Sequence, residues 1–72
     1  MPKLLIIDDE PNVLYSLQAG LERDDLQIVT AKTGRRGIDL AKMENPDAVI
    51  VDVRLPDTSG LEVFDQLKQI DP

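Results

Sequence analysis

Apolar residues in this chain alternate between short continuous blocks and spaced patterns. Leu4-Leu5-Ile6-Ile7 is a block, closed by Asp8 and Asp9. Short aliphatic blocks bounded by turn signals read as buried strands of a parallel sheet. Beyond Pro11, a residue favoured in the first helical turn, Val13, Leu14, Leu17 and Leu21 recur at helical spacing and predict a helix to about Glu22. Arg23-Asp24-Asp25 reads as a loop, and Gln27-Ile28-Val29-Thr30-Ala31 as a second strand, more polar, as edge strands tend to be. Thr33 is placed to cap a second helix running to about Met43, with Ile38, Leu40 and Ala41 as its apolar contribution. Gly34 and Gly37 weigh against it, each costing about 1 kcal/mol relative to alanine in a helix. Asn45-Pro46-Asp47 stops that helix, and Ala48 to Val53 is a third strand. Ser59 and Glu62 make a capping-box pattern for a third helix, with Leu61, Phe64, Leu67, Val63 and Ile70 as its expected buried stripe.

The resulting order, βαβαβα, contains no internal repeat. Right-handed crossovers then give an α/β fold, a parallel sheet with helices on both faces. One of the permitted strand orders, 2-1-3, puts the first strand in the middle. In that order Asp8, Asp9 and Asp52, each ending an aliphatic strand, meet at one sheet edge, where open α/β sheets bind ligands. Three carboxylates that close repel one another and call for a cation; an all-oxygen pocket suits a hard divalent ion such as Mg²⁺.

Composition narrows the function classes. A chain of 72 residues is one small domain or a piece of one. A net charge of −6 without a basic run argues against nucleic-acid binding by this segment, and only Tyr15 and Phe64 could stack on bases. Both are expected to be packing residues, and Arg35-Arg36 a solvated helix face. Without cysteine there is no thiol or disulfide chemistry. No apolar run approaches the ~20 residues of a membrane span, and the start of the chain leads straight into a strand, so a cytoplasmic location is expected.

Together, Ile7-Asp8-Asp9-Glu10-Pro11, Pro46-Asp47 ahead of the third strand, and the D-x-x-x-P-x-x-x-G element from Asp52 through Pro56 to Gly60 resemble the receiver domain of two-component response regulators. The resemblance covers essentially the whole chain. The wording Asp52-Val53-Arg54-Leu55-Pro56 is similar to receivers of NtrC-type transcriptional activators. The resemblance implies a flavodoxin-like (CheY-like) doubly wound sheet. It also implies Asp52 as phosphoacceptor, attacking a phosphohistidine on a sensor histidine kinase to form an acyl phosphate. By the same resemblance Asp9 binds Mg²⁺ directly, Asp8 through a water, Asp52 through its second oxygen, and the Arg54 backbone carbonyl completes the set. The Arg54 side chain would stand where it could alter the lifetime of the phosphoryl group. Pro56 and Gly60 would shape the loop, Gly60 through a special backbone angle or close packing. An output domain, transcriptional in kind, would lie outside this segment, and the chain itself would be a switch without separate substrate turnover.

Other readings compete. Asp8-Asp9 alone is ordinary loop chemistry. Haloacid-dehalogenase-type phosphatases also use an aspartate after a parallel strand, yet they need a second one two residues later, where Arg54 stands. An EF-hand loop from Asp52 fails because Arg54 and Pro56 occupy ligand positions. The serious competitor is a receiver-like dimerisation or docking module without phosphate. The family has about five βα units, and residues 1–72 supply three, so a partial receiver domain is expected. The hydroxyl residue of the fourth strand and the lysine of the fifth have no counterpart here. The third strand, left with an open apolar edge, is expected to pair with another chain as a homodimer or swapped oligomer.

Overall fold

The computed structural model describes residues 1–70 and contains six elements. They are β1 (Lys3–Ile7), α1 (Pro11–Leu21), β2 (Gln27–Ala31), α2 (Gly34–Glu44), β3 (Ala48–Val51) and α3 (Gly60–Ile70). Asp71 and Pro72, the last two residues of the partial domain expected over 1–72, lie outside the described residues. The three strands form one parallel sheet in the order β2-β1-β3. Lys3 to Ile7 pair with Gln27 to Ala31 on one side, and Leu4 to Ile7 with Ala48 to Val51 on the other. This is the α/β arrangement and the 2-1-3 order that bring the strand-terminal acids together.

The alternation of a strand sorts its side chains to two faces. Leu5 and Ile7 join Ala31, Ile38, Leu40, Ala41 and Val63 on the side covered by α2 and α3. Leu4 and Ile6 pack with Leu14 on the α1 side, flanked by Leu17, Leu21 and Ile28. β1 is thus buried on both faces, which is why it reads as an unbroken aliphatic run.

Both doubtful glycines of α2 have a packing reason. A Cβ on Gly37 would run into the Ile7 side chain, and one on Gly34 into Thr58 and Val63. The helix accepts their local cost so that it can lie close to β1 and to the loop before α3. Thr33 caps α2 as expected, its hydroxyl accepting from the Arg36 N–H at 3.0 Å. Asn45 ends it in left-handed geometry with φ of 48°, its N–H donating to the Ala41 carbonyl. Arg35 and Arg36 are exposed, as read from the sequence.

Four expectations need correction. β3 ends at Val51, two residues early, and Val53 is exposed, because the Asp52 N–H makes the last bond to β1 and the chain then turns away. On α3, Val63 is buried and Leu67 half-buried, whereas Leu61 is exposed and Phe64 and Ile70 line an open groove beside Val49 and Val51, since β3 is the last strand beneath the helix. Tyr15, on α1, and Phe64 are both exposed instead of packed; Phe64 carries the Lys68 ammonium 5.4 Å above its ring. Finally, only half of the capping box forms. Ser59 Oγ accepts from the Glu62 N–H at 3.1 Å, while the Glu62 carboxylate instead accepts from the Thr58 hydroxyl.

Candidate functional site

Asp8 and Asp52 each stand one residue past a strand, and each extends a ladder by one bond. The Asp8 N–H donates to the Ala31 carbonyl at 3.0 Å, and the Asp52 N–H to the Ile7 carbonyl at 2.8 Å. These bonds anchor the backbone of both acids to adjacent strands, so their side chains emerge at the same carboxyl edge. Asp8 Oδ1 also accepts from the Glu10 N–H at 3.0 Å, which turns the chain toward Pro11 and the start of α1. Asp52 Oδ1 accepts from the Arg54 N–H at 3.2 Å, which orients its carboxylate at the head of the loop to α3.

Asp8, Asp9 and Asp52 do converge: one carboxylate oxygen from each lies within 4.8 Å of the others. Asp8 and Asp52 are half-buried and Asp9 is exposed, so the site is a shallow crevice open to solvent. Ion pairs found among the described residues lie elsewhere, at Lys3–Glu44 and Arg23–Asp25. Among the described residues, then, no ion pair offsets the charge of these acids. Two unit charges 4 Å apart cost about 1 kcal/mol in water and about four times that near a protein surface. A hard cation would relieve this.

Oxygens sharing an octahedral ion at 2.0–2.1 Å stand at most about 4.2 Å apart. The spacing of up to 4.8 Å suits two direct carboxylate ligands with a third through water, or three after a small contraction. An all-carboxylate donor set with solvent access fits Mg²⁺, which keeps several waters. Arg54 lies two residues beyond Asp52 with an exposed side chain. Gly60 is required by close approach: a Cβ there would collide with the Asp52 carbonyl, and no glycine has positive φ.

Two side-chain contacts escape sequence reading. Asp47 locks the start of the sheet, its carboxylate accepting from the Lys3 N–H at 2.8 Å and its own N–H donating to the Lys3 carbonyl. Asp57, at the tip of the loop after Asp52, accepts from Gly34 N–H at 2.8 Å and Arg35 N–H at 2.9 Å. Those N–H bonds, that of Arg35 foremost, hold the Asp57 carboxyl below its ordinary value. The signal for Asp47 was its place in Pro46-Asp47 before a strand; Asp57 carried none.

With this geometry in view, the family model of the response regulator receiver domain matches residues 4–72. The chain belongs to the response regulator receiver domain family. It is 40% identical over 67 residues to the alkaline phosphatase synthesis transcriptional regulatory protein PhoP of Bacillus subtilis, covering 93% of this chain and 28% of that protein. A receiver domain from Clostridium thermocellum superposes with a TM-score of 0.92 at 31% identity, over 100% of this chain and 59% of that one. A chain in the crystal structure of the histidine kinase ThkA in complex with the response regulator TrrA gives 0.87 at 35% identity, over 96% and 60%. The receiver thus spans under two thirds of the solved chains it matches and under a third of PhoP. No helix among the described residues is long and apolar enough to cross a membrane.

Proposed function

We propose that this receiver is a phosphoacceptor module in which Asp52 takes a phosphoryl group from a sensor histidine kinase in the cytoplasm. Asp8, Asp9, Asp52 and the Arg54 backbone carbonyl would hold Mg²⁺ beside it. The convergence of three carboxylates at the ends of β1 and β3 carries this reading. In the reaction an Asp52 carboxylate oxygen forms a bond to phosphorus as the P–N bond to the kinase imidazole breaks. The electron pair stays on the imidazole nitrogen, which takes up a proton. The product is an acyl phosphate on Asp52. Nucleophile and donor are both anionic, and an ion held by these acids would supply the charge that offsets their repulsion.

The chain's own residues then have separate tasks. The Ile7 carbonyl and the Arg54 N–H hold Asp52 by its main chain and by one carboxylate oxygen, which leaves the other oxygen for chemistry. Asp8 and Asp9 supply the negative charge that draws the ion in. The exposed Arg54 side chain, next to the acceptor, sets how long the phosphoryl group survives. The switch would act on an output domain, transcriptional as in PhoP, and would turn over no separate substrate. The kinase as partner is supported by the likeness to the ThkA–TrrA complex.

A second reading, an unphosphorylated docking or dimerisation module, is favoured by one observation. β3 pairs with β1 on one side only, and Ile50 on it is 40% exposed. The two readings part in one experiment: treatment with a small phosphodonor such as acetyl phosphate, with and without Mg²⁺, and mapping of the label by mass spectrometry. Mg²⁺-dependent labelling at Asp52 is expected, with none in Asp52→Ala. An unlabelled chain that light scattering shows to be dimeric would favour the docking module.

A further inference from the structure

The loop between β3 and α3 is a small closed excursion. Its ends are joined where the Gly60 N–H donates to the Val53 carbonyl at 2.8 Å. Arg54 and Ser59 form a bridge across it, and the Leu55 N–H bonds the Thr58 carbonyl at 3.2 Å, tightening the far turn. Asp52 sits at the foot of the near limb, with its Oδ1 on the Arg54 N–H. Asp57 sits at the tip. Acceptor carboxylate and tip therefore belong to one hydrogen-bonded piece.

That piece is fastened to the body of the fold at its tip. Both oxygens of Asp57 are spent on the first two N–H groups of α2, a helix more than twenty residues earlier in the chain. These N–H groups have no partner inside a helix and carry the positive end of its dipole, so a carboxylate is the fitting acceptor. Thr33 already serves the third N–H, at Arg36. The helix thus has an ordinary cap of its own, and the bonds from Asp57 add something a cap does not need: attachment of a distant loop. Gly34 makes room for it, since a Cβ would collide with Thr58 and crowd Asp57 Oδ1. A second strut joins Thr58 to Glu62 on α3.

We propose that Asp57 is a positioning residue for the acid site, holding the loop so that Asp52 and the Arg54 backbone keep the geometry in which a divalent ion is bound. This rests on the metal-assisted phosphoacceptor reading above. Coupling between linked sites is reciprocal, so ion binding at the acids must also act back on the Asp57 bonds to α2.

The test is a Mg²⁺ titration of this chain followed by backbone amide NMR, on the unaltered protein and on Asp57→Ala, Asp57→Asn and Thr33→Ala. Thr33→Ala is the control: it removes a cap from the same helix end without releasing the loop. Asp57→Ala is expected to weaken Mg²⁺ binding about fivefold or more, the lower end of typical coupling. Thr33→Ala should stay within about twofold although both lose helix capping. Asp57→Asn, which keeps one carbonyl acceptor, should fall between and serves if the alanine variant fails to fold. In the unaltered chain the Gly34 and Arg35 amide signals should move with the same midpoint as those around Asp52. Equal weakening in Asp57→Ala and Thr33→Ala, unchanged affinity in every Asp57 variant that folds, or Gly34 and Arg35 signals blind to Mg²⁺ would each overturn the inference alone. An unaltered chain with no Mg²⁺ response at any amide would overturn the parent reading, and this one with it.

Discussion

β1 and β3 are close to interchangeable as strings, Leu4-Leu5-Ile6-Ile7 against Ala48-Val49-Ile50-Val51, and each leads into an acid. The fold treats them differently. β1 has a strand on either side and helices over both faces, and Leu5, Ile6 and Ile7 are 1% exposed or less. β3 has one neighbour, and its residues alternate between exposed and half-buried. Aliphatic character states what a strand would bury; the supply of neighbours decides what it does bury. The candidate site straddles this divide, with Asp8 and Asp9 on the closed strand and Asp52 on the open one. On the open side Asp52 is held by its N–H bond to β1 and by the loop's Arg54 hydrogen bond, the loop being tied in turn to α2 through Asp57.

The largest effect should fall on the open strand's acid. Asp52→Ala is expected to abolish phosphodonor labelling while leaving urea unfolding little changed, since its side chain takes one bond and sits among like charges. Intact labelling of that variant would show the acceptor to lie elsewhere. Stability should run the opposite way. Ile7→Ala empties a fully buried position and is expected to cost about 2–5 kcal/mol, whereas Ile50→Ala, already 40% exposed, should cost under about 1 kcal/mol. Equal losses for the pair in chemical denaturation would mean that β3 is covered in solution. Light scattering would then identify a second copy as the cover.

How far the sequence could be read follows the same divide. The element order, the β1-centred sheet and the meeting of Asp8, Asp9 and Asp52 were legible, because aliphatic blocks ending in acids are local patterns with a strong topological consequence. The exposure of Leu61 and Phe64 was not. Helical periodicity defines a stripe, but only a neighbouring element can bury all of it. Asp57, and the contact that Asp47 of the Pro46-Asp47 pair makes, were missed for another reason. Their partners are backbone N–H groups 23 and 44 residues away, and a backbone donor leaves no mark in the sequence. Gly34 and Gly37 read as helix-weakening since a missing Cβ has a local cost, while its benefit is a tertiary approach.

Gly37 turns that last point into a smaller, sharper test of the closed half. Alanine is the better helix former by about 1 kcal/mol, so propensity alone predicts that Gly37→Ala stabilises the protein. The added Cβ would lie inside the Ile7 side chain, which is fully buried and has nowhere to retreat. Overpacking of this kind typically costs about 1–3 kcal/mol, so a net loss is expected in urea unfolding. Gly20, with nothing near its missing Cβ, is the matched control on the outer surface of α1, and Gly20→Ala should gain stability. A gain at both positions would mean that α2 can lift from β1 at little cost.

The smallest effect belongs to the loop that compensates for the open strand. Asp57 is held below its ordinary value of 3.8 by the N–H groups of Arg35 and Gly34. A group whose folded value is depressed binds its proton more readily in the unfolded chain, so stability falls as pH drops. The contribution is therefore complete above about pH 5, where the unfolded carboxyl is fully ionised, and fades below that until the folded carboxyl has taken up its proton. Since Asp57 is solvent-exposed, the size should be modest and reduced by salt. Comparing the pH dependence of unfolding in the unaltered chain and in Asp57→Asn isolates it: the two curves should run parallel above about pH 5 and converge as the pH falls below it. Parallel curves from pH 2 to 7 would mean that the carboxylate gives α2 no charge-dependent hold. The loop would then rest on the Thr58–Glu62 strut and the closure at Gly60 alone.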